Sequence, residues 1–382
     1  GLGLKVHTGV ATLSCSLSLA VGISIMVLCF KNQLLGWYDQ VFSSELVAYP
    51  KTLIKNETTP RVSEVFISKL KKEESVKNID CQLQHTVNYK GYDITLYGVE
   101  YGLPLNYPPP IKVKERLFTD LNFDEFYKKF SNSKKPLILA TEAFMYKNNL
   151  SLGDSISINI NQTAYNFKIA ARVIDFSTEL GYLIIPRDKF TKTTKKQGCQ
   201  GLRIYTNIEN KKNFISSLSK ADEIENKLSI SSNKELKNIV FQQFDQTFEL
   251  TFVMTILAII LGGFALIVQT AHTAKERITE WNTLKRIGLS NKGLLVTMFY
   301  DNLIIILCSS FMALIFGNIL GWILTEIINK QSFGWTINYL PKISFINTIK
   351  QVFFSVIALL PITTIVNYVV VKKTLIQGLV RE

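Results

Sequence analysis

Four apolar runs of membrane length decide what this chain can become. Gly9–Phe30, Phe252–Ala271, Leu294–Ile323 and Val352–Val371 each reach the roughly 20 residues that cross a hydrocarbon core of about 30 Å. Lipid offers no partner to a backbone N–H or C=O, so each run is expected as a helix. Between the first and second lies a polar block, Lys31 to about Gln246, long enough to fold around its own core. The expected fold class is a membrane α-helical bundle of four transmembrane helices with a large α+β extracytoplasmic domain inserted between helices 1 and 2.

Lys5 precedes the first run, as in a signal peptide. The run is longer than the usual apolar region of such a peptide, and no small-x-small cleavage pattern follows Phe30, so a retained helix is expected. The chain opens on Gly1 rather than Met, which suggests a fragment of a longer protein with further membrane helices. Basic residues set the orientation. Lys275, Arg277, Lys285, Arg286 and Lys292 sit between helices 2 and 3, and Lys372, Lys373 and Arg381 in the tail, against only Lys330 and Lys342 between helices 3 and 4. Both termini are therefore expected in the cytoplasm and the polar block outside. The layout is 1–30 helix 1, 31–246 external domain (sub-domains about 31–106 and 111–235), 247–272 helix 2, 273–290 a cytoplasmic segment, 291–326 helix 3, 327–349 an external loop, 350–372 helix 4, and 373–382 a tail. The net charge of +13 is spread along the chain without an aromatic-basic module, so no nucleic-acid partner is expected.

Within the polar block, "SELVAYP" reads as a strand, and Thr59 with Pro60 as a helix start before a buried stripe of Val62, Val65, Phe66 and Leu70. "CQLQHTVNYKGYDITLYGVEY" alternates on both sides of Lys90-Gly91, a hairpin pattern, and "NYPPP" (Asn106–Pro110) is a rigid break between sub-domains. "FDEFYKKF" reads as a helix, "PLILATEAFMYKNNLSLGDSISINI" as strand, helix, Gly153-Asp154 turn and strand, and "YNFKIAARVIDFSTELGYLIIPRDKF" as at least two strands. "GLRIYT" is a further strand and "NKKNFISSLSKADEIENKL" a helix, while "ELKNIVFQQFDQTFELTFVM" runs as one helix into the membrane. Three scattered histidines, His7, His85 and His272, form neither a metal cluster nor a Ser/His/Asp set, and there is no phosphate-binding loop. A binding or force-transmitting module, not an enzyme, is expected, with no metal and no cofactor in this chain. Cys15, Cys29 and Cys308 lie in apolar runs as packing residues; Cys81 and Cys199, both external, are a possible disulfide.

The charged segment "HTAKERITEWNTLKRIGLSN" (His272–Asn291) interrupts the lipid-like sequence. Ile278, Trp281, Leu284 and Ile287 recur every three residues on one stripe, with charges over the remainder, as in a short helix lying at a membrane face. Gly288 is expected as a left-handed stop and Ser290 as the N-cap of helix 3. Spacing alone leaves two readings open, a functional helix or a charged loop that only sets topology. Asp301 either pairs with Lys285 or Arg286, locking this helix to helix 3, or caps and snorkels at the interface. Glu249 is read as interfacial. Trp335 is either an interface anchor or a contact to stalk or cargo. Gly262, Gly263 and the small-xxx-small pair Gly317 and Gly321 permit close packing, within the bundle or with a second unit.

"AKERITEWNTLKRIGLSNKGLL" resembles the signature of FtsX-like ABC transporter permeases of the MacB/LolC type, through Glu276, Arg277, Glu280, Leu284, Lys285, Arg286 and Gly288. "LSCSLSLAVGISIMVLCF", "ATEAFMYKNNLSLGDSISI", "FDQTFELT" and "QSFGWTI" are similar to other segments of the family in the same order, the last two to those of a long, two-unit subgroup. The resemblance implies a permease in a bacterial cytoplasmic (inner) membrane whose segment Lys275, Glu276, Arg277, Glu280, Trp281, Leu284, Lys285, Arg286, Gly288 seats on a separate ATP-binding subunit, a dimer that carries the ATP and Mg. It implies a second permease unit, in the same or a fused chain, and lipidic or lipoprotein cargo moved by mechanical transmission. The external loop adds Phe333, Gly334 and Trp335 to the candidate site residues. The alternative is a regulatory transmitter that activates an extracytoplasmic enzyme such as a cell-wall hydrolase.

Overall fold

The computed structural model describes residues 2–50, 62, 64–99, 111–196, 198–206 and 228–379. They fall into two compact units, one of Gly1–Asn32, Phe244–Lys330 and Ile337–Glu382, the other of Gln33–Gln243 with Gln331–Thr336.

The first unit is the membrane part. Its helices are drawn from α1 (Leu2–Val41), α6 (Asn233–Glu276), α7 (Ile278–Arg286), α8 (Asn291–Trp322) and α10 (Pro341–Leu379). Four of them, all but α7, are long and apolar enough to cross a membrane. Small residues let the backbones approach. A Cβ on Gly317 would stand 2.6 Å from Val21 Cγ1, and one on Gly321 2.8 Å from Ile25 Cγ2, so the small-xxx-small stripe is used within the chain, against α1. Leu13, Leu17, Leu266, Ile306 and Ala313 fill the centre. Two buried asparagines bridge α8 and α10: Asn367 Nδ2 donates to Asn302 Oδ1 at 3.1 Å, and Asn302 Nδ2 to Thr364 Oγ1 at 3.4 Å. Glu249 is exposed on α6.

The expected external loop 327–349 is mostly helical. α8 continues through a π-helical turn, Ile323–Ile328, into α9 (Asn329–Phe333), and α10 begins at Pro341, which leaves only 334–340 between them. Apolar content fell below membrane length in this stretch, but helical backbone does not need an apolar surface to continue.

The second unit is built on one ten-stranded sheet, ordered β10-β1-β9-β2-β3-β8-β5-β7-β4, with β6 pairing β2 and β7. The strands are β1 (Leu46–Pro50), β2 (Val76–Tyr89), β3 (Tyr92–Val99), β4 (Lys112–Arg116), β5 (Leu137–Thr141), β6 (Ser155–Ile160), β7 (Thr163–Ile174), β8 (Tyr182–Pro186), β9 (Gly201–Thr206) and β10 (Leu228–Ser232). Helices α2 (Glu64–Lys72), α3 (Phe123–Asn132), α4 (Glu142–Lys147) and α5 (Arg187–Thr194) pack on it. The alternating segments read as strands are strands, and Lys90 (φ 51°) with Gly91 (φ 90°) makes the turn of the β2–β3 hairpin.

The division into sequential sub-domains, about 31–106 and 111–235, does not hold. β1 pairs on one side with β10 and on the other with β9, and β2 also pairs with β9, so the first and last strands share one core of Leu46, Val62, Phe66, Leu70, Leu202 and Ile204. Val65, expected in that core, is 52% exposed because α2 turns only Phe66, Ile67 and Leu70 inward. The Thr59–Pro60 helix start, the break at Asn106–Pro110, the helix expected over 210–227 and Arg381 lie outside the described residues.

Cys81 at the middle of β2 and Cys199 just before β9 are joined as a disulfide, with Cα atoms 5.4 Å apart and a sequence separation of 118. Closing so long a loop removes much entropy from the unfolded chain, about 4 kcal/mol in stability. Replacing both cysteines with alanine is expected to lower the unfolding free energy of the external unit by about that much, read by denaturant titration with near-UV circular dichroism. A loss under about 1 kcal/mol would show that the cross-link does not constrain the unfolded state.

Candidate functional site

Two clusters bring together charged groups that the fold holds in place. The first surrounds α7. One residue, Arg277, separates α6 from α7, and its backbone keeps both helices bonded: Arg277 N donates to Thr273 O at 3.1 Å and Trp281 N to Arg277 O at 3.0 Å. The Arg277 guanidinium spends its fork on two carboxylates, Nε on Glu280 Oε2 at 2.9 Å and Nη1 on Asp301 Oδ2 at 2.8 Å, and lies 5.2 Å from the Trp281 ring centroid. Trp281 is buried with Leu294 and Met298 of α8, and Ile278, Leu289 and Tyr368 pack around them.

Asp301 is paired with Arg277 at the start of α7, a partner that was not among those expected for it. The stripe expected to be buried is split. Trp281 is buried and Ile278 half-buried, but Leu284 is 42% and Ile287 79% exposed. Lys275, Glu276, Glu280 and Arg286 are exposed too, and Lys285 half-exposed. His272 Nδ1 lies 3.6 Å from Glu276 Oε1.

The end of α7 is fixed by backbone chemistry. Gly288 (φ +107°) takes the left-handed conformation open to glycine. Leu289 N then donates to Leu284 O at 3.0 Å and Gly288 N to Lys285 O at 3.0 Å, the paired bonds of a Schellman cap. Ser290 Oγ accepts from Gly293 N at 3.1 Å as the N-cap of α8. A four-residue connection, 287–290, capped on both sides leaves α7 little freedom relative to α8.

The second cluster was not found from sequence. Glu142, the first residue of α4, is 3% exposed. Its Oε1 accepts from Lys114 Nζ on β4 at 2.8 Å and from Thr336 Oγ1 at 2.6 Å, while Oε2 accepts from Thr336 N at 3.2 Å. The segment Gln331–Thr336 is thereby hooked onto the ten-stranded unit. Gly334 (φ +79°) passes so close that a Cβ would stand 3.1 Å from Ala143 Cα. Trp335 is buried, stacked on Phe333 at 5.2 Å and edge-on to Phe176 at 5.8 Å. The only sequence trace of this hook was that Glu142 and Phe333–Thr336 fell in separate segments resembling one family.

Burial pushes the Glu142 carboxyl upward, but the bonds from Lys114 and Thr336 outweigh it and hold it below the usual glutamate range.

Four candidate spans, a domain inserted between the first two and a charged helix braced against the third are the features to compare with known proteins. Residues 252–375 match the FtsX-like permease C-terminal family. Over 337 residues, 87% of this chain, the sequence is 21% identical to the uncharacterized ABC transporter permease protein Rv0987 of Mycobacterium tuberculosis. The chain spans 38% of that relative's length. Among solved structures, the periplasmic region of MacB from Actinobacillus actinomycetemcomitans is similar at 12% identity, 52% of this chain, 93% of that chain and a TM-score of 0.35. The extracellular domain of the noncanonic ABC-type transporter YknZ from Gram-positive bacteria is similar at 14%, 49%, 98% and 0.33. Scores of that size bear no weight for the fold. The chain is thus similar to FtsX-like ABC transporter permeases, over residues 252–375 by the family model and over 87% of its length by the relative.

The hook is tested by a double-mutant cycle. Glu142→Gln and Thr336→Val are each expected to cost about 1.5–3 kcal/mol and to couple by at least about 1 kcal/mol, read as loss of hydrogen-exchange protection at Phe333–Thr336. A folded pKa below the unfolded one means the contribution is complete above the unfolded value and lost as pH falls through the folded one. Protection of the Thr336 amide is therefore expected to fall in acid below the usual glutamate range, and to be insensitive to that change in Glu142→Gln. Additive effects in the cycle would dismiss the hook.

Proposed function

We infer that this chain is the non-catalytic permease subunit of an ABC transporter and that α7 is its seat on a separate ATP-binding subunit. The reading is carried by one observation: α7 buries Trp281 against α8 and is tied there by Arg277, yet leaves Leu284 and Ile287 uncovered beside Lys285 and Arg286. An apolar pair rimmed by cations at the end of a braced helix is the form of a docking surface, because the internal contacts hold the helix still while its outer end stays free. The ATP-binding subunit, a dimer, holds the ATP and Mg. Its closure on nucleotide displaces α7 and, through it, α8.

The same reading places α7 and both chain ends in the cytoplasm of a bacterial inner membrane, and the ten-stranded unit outside. The disulfide supports the oxidising side for that unit. The cargo is lipidic or a lipoprotein, moved by displacement of the external unit rather than through a central channel. The hook of Glu142 on Thr336 supports mechanical transmission, because it fastens the stretch between α9 and α10 to the external sheet. A second permease unit completes the transporter.

Leu284→Asp and Ile287→Asp test the seat, since neither side chain is buried in this chain. Each is expected to shift the permease's own stability by no more than about 0.5 kcal/mol, while co-purification of a co-expressed ATP-binding subunit drops at least tenfold. Undiminished co-purification of the double variant would remove α7 from this role. Cargo is read after depletion of the chain, as lipid or lipoprotein retained in the membrane.

A further inference from the structure

The external unit contains a cavity that neither the hook nor α7 uses. Its volume is about 170 Å³, close to the ~150 Å³ hollow that accepts a benzene ring in an engineered protein core. One wall is apolar, with Trp37, Ile184 and Val99. The lining also includes Tyr49, Gln82, Tyr97 and Arg203 from β1, β2, β3 and β9, with Tyr49 39% exposed.

These four polar groups are underused. Among the described residues, no protein group bonds the Gln82 amide or the Tyr49 and Tyr97 hydroxyls. Arg203 spends Nη1 on Asp80 at 3.3 Å, and a guanidinium has further donors in the same plane. Four strands thus deliver one cation, one amide and two phenols to a hollow the size of one ring. Sites for small ligands are built this way, apolar over most of their wall with a few convergent polar groups.

The sign of the ligand follows from the second charge in the lining. Asp175 also faces the cavity, but its Oδ2 already accepts from Ser177 N at 3.0 Å and Ser177 Oγ at 2.7 Å, and its Oδ1 from Tyr182 Oη at 3.3 Å. Burial raises its pKa against those bonds. Its acceptors are committed, whereas Arg203 retains donors. Gln82 and the two phenols can donate or accept, so the one lining charge with capacity to spare is Arg203, a donor only.

We propose that this cavity binds a small organic oxyanion, a carboxylate or phosphate monoester that carries a single aromatic ring. The anionic oxygens sit on Arg203, with Gln82 and the Tyr49 and Tyr97 hydroxyls completing their hydrogen bonds, and the ring lies against Trp37 and Ile184. The volume matches one ring, which a small soluble molecule supplies.

The test uses the full chain in nanodiscs of zwitterionic lipid, titrated calorimetrically with benzoate, phenyl phosphate and benzylammonium. At least one of the anions is expected to bind at a single saturable site, and benzylammonium at least tenfold more weakly. Tyr97→Phe and Gln82→Ala are each expected to weaken the anion about three- to tenfold, and Arg203→Gln to abolish its binding. Because Arg203 also holds Asp80, the two milder variants decide the matter if Arg203→Gln does not fold. Lack of saturable binding by either anion up to ~10 mM would overturn the proposal. So would benzylammonium binding as tightly as the anions, or unchanged affinity in both Tyr97→Phe and Gln82→Ala.

Discussion

A domain inserted between two helices must return its chain to where it started. That closure governs the external unit. The chain leaves α1 at Val41 and rejoins α6 at Asn233, and Asn233 Nδ2 donates to Phe42 O at 3.1 Å and Ser44 Oγ at 2.9 Å. Asn233 N donates to Glu45 O at 3.1 Å, and Tyr38 Oη to Asn233 O at 3.1 Å. β1 and β10, the first and last strands, then pair over five residues. The sheet order follows from this condition: the ends must meet, so the strands between them fold outward as a long excursion, from β2 through to β9.

The two charge clusters share a design despite their different settings. In each, one ionised side chain has more than one partner, at least one of them from an element distant in sequence. Arg277 takes Glu280 and Asp301, and Glu142 takes Lys114 and Thr336. A half-exposed pair such as Arg277 with Asp301 adds little stability, about 0–1 kcal/mol. Its value is in position, since a fork with two fixed acceptors gives the helix start one orientation. The buried Glu142 is different in degree. Leaving it without its donors would strand a charge away from water, so the Gln331–Thr336 stretch is needed for the carboxylate as much as the carboxylate is needed for the stretch.

Local features were legible in the sequence because local physics decides them. The hairpin at Lys90-Gly91 and the stop at Gly288 with its cap at Ser290 depend on neighbouring residues, and so does the helix from "ELKNIVFQQF" into the membrane. Features set by distant partners were not legible. β4 and β10 are short and weakly patterned, and they exist because β7 and β1 offer edges to pair with. Asp301 announced a partner without naming it, since choosing among Arg277, Lys285 and Arg286 requires the side-by-side placement of α7 and α8. Glu142 was silent for the same reason: an acid in the first turn of a helix is common enough to explain itself by the helix dipole. Nothing in the alternation of β2 marks where its partner changes.

That change of partner gives β2 a role beyond pairing. Its residues up to Gln82 bond β9, and from Leu83 onward they bond β3. Cys81 lies in the core shared with β1 and β9, whereas Leu83, Val87 and Tyr89 lie in the core shared with β6, β7 and β8. One uninterrupted backbone is thus an axle through both cores. The two cores are joined by covalent chain as well as by side-chain contact.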